Sequence, residues 1–235
     1  MIARCRVLEN RRETPTTHSV RIEKPRGFQF LPVQFCGLEL DTDEGGIEYS
    51  MSLACSPTKP YLEFGARVAS GSPWKRAFAS LKEGDDVEVD GAYGHFVLEE
   101  KRPAVLLAGG IGITPLKGML EYATDKALPI PVRLVYSNRT EAEIAYRADL
   151  DALVKQNPRA QVWHTITRPR ESPGWHGRVG RIDAALAHEA AAGLEKPIYY
   201  VCGLPGMVAD LARDLAAAGV PPRDVRFEQF WGYEG

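Results

Sequence analysis

The sequence is poor in cysteine, and its four cysteines form no C-x-x-C pair. Cys5, Cys36, Cys55 and Cys202 lie far apart along the chain. This scatter argues against a zinc ribbon and against a plant-type iron–sulfur cluster, because both need closely spaced thiolates. A disulfide framework is not expected either, since such frameworks are typical of small, cysteine-dense secreted chains.

Long apolar runs, an excess of one charge and common hydrolase motifs are also missing. The N-terminal stretch MIARCRVLENRRETP has no apolar core of signal-peptide length, and no later run approaches the length of a membrane span. The formal net charge of −2 gives no reason to expect nucleic acid or an anionic membrane as partner. No G-x-S-x-G or H-E-x-x-H occurs, and the histidines lack metal-ligand spacing. We therefore expect a cytoplasmic protein with no metal site, no membrane insertion and no nucleic-acid partner.

The 235 residues divide into two halves with different hydrophobic patterns. In residues 1–100, short segments alternate polar and apolar residues and end at Gly, Pro or Asp, as in RCRVLE, HSVRIEK, YLEFGARV and DDVEVDG. This pattern predicts an antiparallel barrel or sandwich. One helix is predicted within it, over SPWKRAFASLKEG, with Ser72 as N-cap, Pro73 in the first turn and Gly84 just past the end.

Residues 101–235 alternate buried strands with amphipathic helices, and the boundary falls near Glu99–Arg102. The five predicted strands are PAVLLA, VRLVYS, AQVWHTIT, PIYYVC and DVRFEQF. Thr114 is the predicted cap of the first helix, and Thr140 with Glu143 has capping-box spacing before the second. Repeated β-α-β units predict a five-stranded parallel, doubly wound sheet, and hence a two-domain α/β protein.

The stretch LLAGGIGITPLKG, residues 106–118, predicts a strand, a tight glycine turn and a helix start. Gly109, Gly110 and Gly112 would let a pyrophosphate approach the backbone at a helix N-terminus. Pro115 replaces the last glycine of G-x-G-x-x-G, but a proline in the first turn of a helix is compatible with such a site. From this stretch alone, a phosphate site and a purely structural turn are about equally good interpretations.

Other strand ends carry further candidates, each with a simpler structural explanation. Cys202 in YVCGLPGM is either a buried residue that only packs in the core or part of a site on the same sheet edge as Gly110. The aromatic residues of FEQFWGY are either core or a surface on which a flat heteroaromatic ring stacks. Four arginines are either solvated or able to bind phosphate oxygens: Arg139, Arg168, Arg178 and Arg181.

Taken together and in order, these motifs resemble the ferredoxin–NADP reductase superfamily, over nearly the whole chain. The motifs that carry the resemblance are GGIGITP, SNRTEAEI, TITRP…W.G.VGRID, CGLPGM and FEQFWGY. The resemblance implies a flavin-binding antiparallel β-barrel domain over 1–100 and an NAD(P)-binding domain over 101–235. It also implies residues that bind the nicotinamide nucleotide: Gly109, Gly110, Gly112, Thr114, Pro115, Asn138, Arg139, Arg168, Arg181, Cys202, Gly203 and Met207. Because NADH-using members can carry similar arginines, the choice between NADPH and NADH stays open.

The barrel half matches the superfamily less well. YSMSLACSP aligns with the flavin motif, so the resemblance assigns to the flavin Met51, Ser52, Leu53, Ala54, Arg67, Ser72, Trp74, Lys75, Phe230 and Trp231. Tyr49, however, stands where an arginine normally faces the flavin pyrophosphate, and Val33 stands where glycine is usual. Loss of such a charge-assisted contact costs on the order of 1.5–3 kcal/mol if unreplaced.

The resemblance implies a reductase that passes electrons from NADPH or NADH through FAD. Its predicted catalytic residues are Ser52, Cys202 and Glu228, with Phe230 or Trp231 covering the flavin ring. No iron–sulfur motif is present, so we expect a separate acceptor protein: a ferredoxin-like or flavodoxin-like carrier, or an oxygenase. Two alternatives remain, a reductase of free flavin and a nucleotide-binding sensor subunit without turnover. We expect a monomer.

Overall fold

The protein contains two six-stranded sheets, one in each half of the chain. The computed structural model describes residues 1–69 and 71–230. The first half contains β1 (Ile2–Thr14), β2 (Thr17–Glu23), β3 (Phe35–Thr42), β4 (Gly45–Ser52), β5 (Tyr61–Arg67), α1 (Pro73–Ser80) and β6 (Asp86–Tyr93). The second half contains β7 (Ala104–Gly109), α2 (Ile113–Asp125), β8 (Val132–Asn138), α3 (Arg147–Gln156), β9 (Ala160–Ile166), β10 (Arg178–Val179), α4 (Ala184–Ala191), β11 (Ile198–Gly203), α5 (Pro205–Ala217) and β12 (Val225–Gln229). No helix in these described ranges is long and apolar enough to cross a membrane.

The first sheet is antiparallel, with strand order β4-β3-β6-β1-β2-β5. A single bridge between Leu53 and Phe64 links the end of β4 to β5 and curls the sheet into a half-closed barrel. Inward side chains of the strands form one apolar core, against which Trp74 and Phe78 of α1 pack. Ser72 caps α1 as predicted, because its Oγ accepts the Lys75 N–H at 3.4 Å. The predicted antiparallel barrel is confirmed.

The second sheet is parallel, with order β10-β9-β8-β7-β11-β12, and the direction of winding reverses between β7 and β11. Alternate strand residues face different helices, because side chains along a strand point to opposite faces. One face packs on α2 and α3, and the other on α4 and α5. The doubly wound sheet is therefore confirmed with its five predicted strands, to which the structure adds the two-residue strand β10.

Two predicted helix starts are wrong. Thr114 is the second residue of α2 and caps nothing: its Oγ1 donates to the carbonyl of Ile111 at 3.1 Å, and Pro115 is the third helical residue. The Thr140–Glu143 pair does not form a capping box, because the chain makes a 3-10 turn over Glu141–Glu143 with no side-chain cap. The following α-helix begins only after Tyr146, a buried residue with φ of 58°.

The two domains meet along the outer face of β5. Residues 63, 65 and 67 lie on the face of β5 that points away from the barrel core and toward the second half of the chain. Glu63 accepts a hydrogen bond from Lys117 Nζ of α2 at 2.6 Å, and Arg67 lies 3.6 Å from Glu143. A Cβ at Gly65 would collide with the hydroxyl of Tyr146 and with Thr114, so only glycine permits this approach.

The Glu63–Lys117 pair is fully enclosed, with side-chain exposures of 0% and 1%. Arg21 donates to the other oxygen of Glu63 at 3.0 Å, and Glu121 lies 3.6 Å from Lys117. Glu121 in turn accepts the backbone N–H of Ser56 at 2.7 Å. Helix α2 is thus bound by charge and hydrogen bonds to the barrel segment that follows Ser52.

Replacing Lys117 with methionine is expected to lower the free energy of unfolding by about 3–5 kcal/mol, because a buried carboxylate loses its nearest cation. Urea unfolding monitored by fluorescence measures the change. The control K59M removes a partly exposed cation 2.9 Å from Asp125 and is expected to cost under about 1 kcal/mol. Equal losses for both variants would contradict the special role of the buried pair.

Candidate functional site

A cavity of about 540 Å³ opens at the carboxyl ends of β7 and β11, where the winding of the parallel sheet reverses. Ligands bind at this position in open α/β sheets because the loops there diverge. Predicted residues that line it are Gly109, Gly110, Asn138, Arg139, Arg181 and Met207. The barrel contributes Thr16, Thr17 and Arg67 to the same cavity, so both domains form its walls.

The glycine turn is shaped for close approach to a ligand. Gly110 has φ of 52°, and no heavy atom lies within 4 Å of the position that its Cβ would occupy. Gly109 and Gly112 leave no room for a side chain. A Cβ at Gly109 would collide with Met207, and one at Gly112 would collide with the carbonyl of Cys202. The backbone at Gly110 is therefore bare toward the cavity, next to the N-terminus of α2, where anions are favoured.

The cavity also holds an unsatisfied donor and several cations. Asn138 is 7% exposed, and its Nδ2 has no partner among the described residues. A buried donor without a partner is costly unless a ligand accepts its hydrogen bond. Arg67, Arg139 and Arg181 line the same cavity, together with the carboxyls of Glu143, Asp210 and Asp214, and their guanidinium groups can bind a phosphorylated ligand.

Arg168 does not reach this cavity. Its exposed side chain lies 3.5 Å from Glu171, and its backbone N–H donates to the carbonyl of Arg139 at 2.7 Å. Its predicted role at a nucleotide phosphate stays a prediction.

A second cavity, of about 520 Å³, lies against β4 of the barrel. We call it the flavin cavity, after the ligand predicted for it. Met51, Ser52, Lys75 and Phe230 line it as expected, together with Phe35, Glu48 and Tyr49. Thr114 also lines this cavity rather than the one beside the glycine turn. Phe230 lines both cavities, so the two meet at that residue.

Two of the three predicted catalytic residues, Ser52 and Glu228, line the flavin cavity, and the third, Cys202, is buried behind its wall. Ser52 Oγ donates to Glu228 Oε2 at 3.2 Å, and Cys202 stands opposite Glu228 in the β11–β12 register. Burial raises the pKa of Glu228 to about 7, although the Ser52 hydrogen bond lowers it. Burial, with the Glu228 charge second, also raises the pKa of the Cys202 thiol well above its usual value. The site therefore contains a neutral thiol beside a carboxyl that exchanges protons near neutrality.

Several predicted residues lie behind the cavity walls instead of in them. Leu53 and Ala54 are fully buried, Ser72 is occupied as a helix cap, and Trp74 is buried with its Nε1–H donating to Leu38. Arg67 lines the cavity beside the glycine turn and not the flavin cavity. Gly203 is buried, and its carbonyl accepts the N–H of Phe230 at 3.0 Å. Trp231 lies outside the described residues.

Further lining residues of both cavities come from elements that no sequence motif singles out. In the first cavity these include Thr16, Thr17, Tyr136, Glu143, Ile182, Asp210 and Asp214; in the flavin cavity they include Phe35, Glu48 and Gln229. Asp210 and Asp214 stand four residues apart on α5, so they lie on one face of that helix. Within the described part of the chain, no group of three or more His, Cys, Asp or Glu is placed to hold a metal ion.

Comparisons with known proteins agree with this geometry. The family model for the oxidoreductase NAD-binding domain matches residues 106–213. A ferredoxin–NADP reductase B from Sorangium cellulosum is 28% identical over 229 residues, which cover 92% of this chain and 93% of the relative. The electron transfer component of toluate 1,2-dioxygenase from Pseudomonas putida is 27% identical over 220 residues, covering 93% of this chain and 64% of the relative.

Among solved structures, a ferredoxin NADP⁺ reductase from Neisseria gonorrhoeae with bound FAD and NADP has a TM-score of 0.82 at 23% identity. The match covers 97% of this chain and 98% of the other. The chain spans less than two thirds of the dioxygenase component and of several other relatives.

Replacing Glu228 with glutamine is expected to flatten the dependence of Tm on pH. The folded-state pKa of about 7 lies above the ordinary value of 4.5, so the folded chain binds more protons between these values. The free energy of unfolding therefore falls as pH rises from about 4.5 through about 7, and the glutamine variant lacks this component. Calorimetry between about pH 5 and pH 8 measures it, with E195Q at an exposed position as control. An unchanged profile in E228Q would contradict the assignment.

Proposed function

We propose that this chain, which belongs to the ferredoxin–NADP reductase superfamily of NAD(P)H-dependent flavin oxidoreductases, passes electrons from a nicotinamide nucleotide through a flavin to a separate acceptor protein. The observation that carries the proposal is the meeting of two cavities at Phe230. One cavity has a bare glycine turn and cations suited to phosphates. The other has a hydroxyl and a carboxyl at its wall.

The residues present fit a nicotinamide nucleotide well. Gly110 and the start of α2 would hold the pyrophosphate, while Asn138 would donate its unsatisfied N–H to the nucleotide. Arg139 and Arg181 line the same cavity and would bind phosphate oxygens. None of these groups distinguishes NADPH from NADH, so both nucleotides remain candidate electron donors.

The flavin cavity fits the isoalloxazine ring of FAD, because Phe35, Met51 and Phe230 provide apolar walls and Ser52 a hydroxyl. A bound flavin would supply the conversion of a two-electron hydride into single electrons. Ser52 would place its hydroxyl oxygen against the ring while the same hydroxyl donates to Glu228. The Glu228 carboxyl would gain or lose a proton beside that hydroxyl. Cys202, buried behind the junction, would shape the wall against which the nicotinamide packs.

The acceptor is a separate protein in this proposal. Two relatives support it by their names, a ferredoxin–NADP reductase and an electron transfer component of a dioxygenase. The acceptor would be a ferredoxin-like or flavodoxin-like carrier, or an oxygenase, and the chain would act as a monomer.

A reductase of free flavin is the second candidate. It is favoured by Tyr49, which lines the flavin cavity where the superfamily pattern has an arginine, because no bidentate phosphate donor stands there. A nucleotide-binding sensor without turnover is the third, and the raised pKa of Glu228 at the junction counts against it.

The visible absorption spectrum of the purified protein, repeated after anaerobic addition of NADPH or NADH, tests the proposal. Flavin bands that bleach with one nucleotide would support the reductase and identify its donor. Colourless protein that reduces added flavin would support the free-flavin candidate. Protein that binds nucleotide but reduces no flavin would overturn both.

Replacing Gly110 with leucine is expected to weaken binding of the nicotinamide nucleotide by tenfold or more, about 1.4 kcal/mol, and to leave flavin binding in place. Its side chain would enter the first cavity, whereas the flavin ring would contact the second. Calorimetric titration with each ligand measures both affinities. G193L is the matched control, since Gly193 also has positive φ and open space but lies after α4. Loss of flavin with unchanged nucleotide binding would reverse the domain assignment.

A further inference from the structure

Tyr49 forms the end of a rigid aromatic stack in the wall of the flavin cavity. Its ring lies 4.7 Å from the ring of Trp74, with 5° between the planes, and Trp74 stacks on Phe78 at 5.0 Å. Trp74 and Phe78 are fully buried, and the indole N–H of Trp74 donates to the carbonyl of Leu38 at 3.0 Å. The orientation of the Tyr49 ring is therefore fixed before any ligand arrives.

Tyr49 shares the wall of the flavin cavity with other apolar side chains. Met51 is two residues further along β4, so its side chain points to the same side of the strand and also lines the cavity. Phe35 and Phe230 line it too, and Ser52 adds the hydroxyl. An aromatic ring that is already fixed in place recognises planar heteroaromatic rings, because stacking needs no ordering of the site.

The charges around the cavity do not favour phosphate. Its charged lining residues within the described chain are Lys75, Glu48 and Glu228, one cation against two carboxyls. The cavity beside the glycine turn has three arginines and three carboxyls in its wall, so the two cavities differ in having or lacking arginine. Phosphate groups bind most strongly to the planar fork of arginine, and nearby carboxylates repel them. The flavin cavity thus has an aromatic face on which a ring can stack, and no arginine in its described wall to bind a phosphate.

We propose that Tyr49 sets the specificity of the flavin cavity by stacking on the isoalloxazine ring, so that riboflavin, FMN and FAD bind with similar affinity. This inference rests on the proposed function, and it concerns which part of the flavin is recognised. The tyrosine replaces a contact to the phosphate end of the ligand with a contact to its ring. The flavin is then held by a group that all three molecules share.

Quenching of flavin fluorescence, titrated with protein freed of co-purified flavin, tests this directly. The three dissociation constants are expected to agree within about threefold, because the phosphates add no bidentate contact. Binding of FMN and FAD about tenfold or more tighter than riboflavin would overturn the inference by showing phosphate recognition. Tighter binding of FAD alone would overturn it as well, since the adenine would then be the recognised ring.

Three variants at position 49 distinguish the effect of an aromatic ring on flavin affinity from the effect of a positive charge. Y49R is expected to strengthen FMN and FAD binding about tenfold relative to riboflavin, because it adds a phosphate fork and removes the ring. Y49F keeps the ring and is expected to keep the three affinities equal. Y49L is expected to weaken all three by a common factor. A Y49L variant that binds every flavin as well as the wild type would overturn the role of stacking.

Failure of this inference can be told from failure of the proposed function. If the wild-type protein binds flavin and nucleotide reduces it, but FAD is strongly preferred over riboflavin, only the role of Tyr49 is wrong. If no flavin binds or is reduced under any of these conditions, both the proposed function and this inference are overturned.

Discussion

The buried ion pair between Glu63 and Lys117 is the constraint on which the arrangement of the two domains depends. Each group would be costly to bury alone, and each is compensated by a partner in the other domain. The pair lies two residues from Gly65 along β5 and three from Thr114 along α2, and both of those residues line the flavin cavity. A change in the relative position of α2 and the barrel would therefore separate these charges and open the cavity wall together.

Helix α2 links the two cavities mechanically. Its N-terminus follows the glycine turn, and its middle lies so close to the barrel that a Cβ at Gly118 would be 3.2 Å from the carbonyls of Leu53 and Cys55. The segment after Ser52 is thereby held against the helix that follows the glycine turn and contributes Thr114 to the flavin cavity. On the other side, the hydrogen bond between Ser52 and Glu228 joins the same segment to β12. Two rings bound at the junction would be aligned by these contacts and not by the ligands alone.

The elements and the strand-end residues were predictable from the sequence, whereas the contacts between domains were not. The glycine turn, the five strands and the meeting of Ser52, Cys202 and Glu228 follow from periodicity and from motifs that resemble a known superfamily. Thr114 was predicted as a cap because threonine before an apolar run is a common helix start, but the glycine turn already supplies that start. Tyr146, at positive φ and buried under the barrel, has no local signal, since its conformation depends on residues more than a hundred positions away, such as Glu13.

Val33 and Tyr49 show how departures from a family pattern differ in physical meaning. Val33 adopts φ of 84°, a conformation that favours glycine, so the valine is strained at a position where the superfamily pattern has glycine. Tyr49 changes chemistry instead, because a stacked phenol cannot replace a guanidinium at a phosphate. Val33 is buried in the apolar core and is in neither cavity's lining, whereas Tyr49 lines the flavin cavity, so the second departure is the one that changes what this cavity presents to a ligand. In the proposed site, a flavin would be held through the isoalloxazine ring that riboflavin, FMN and FAD share, and not through its phosphates.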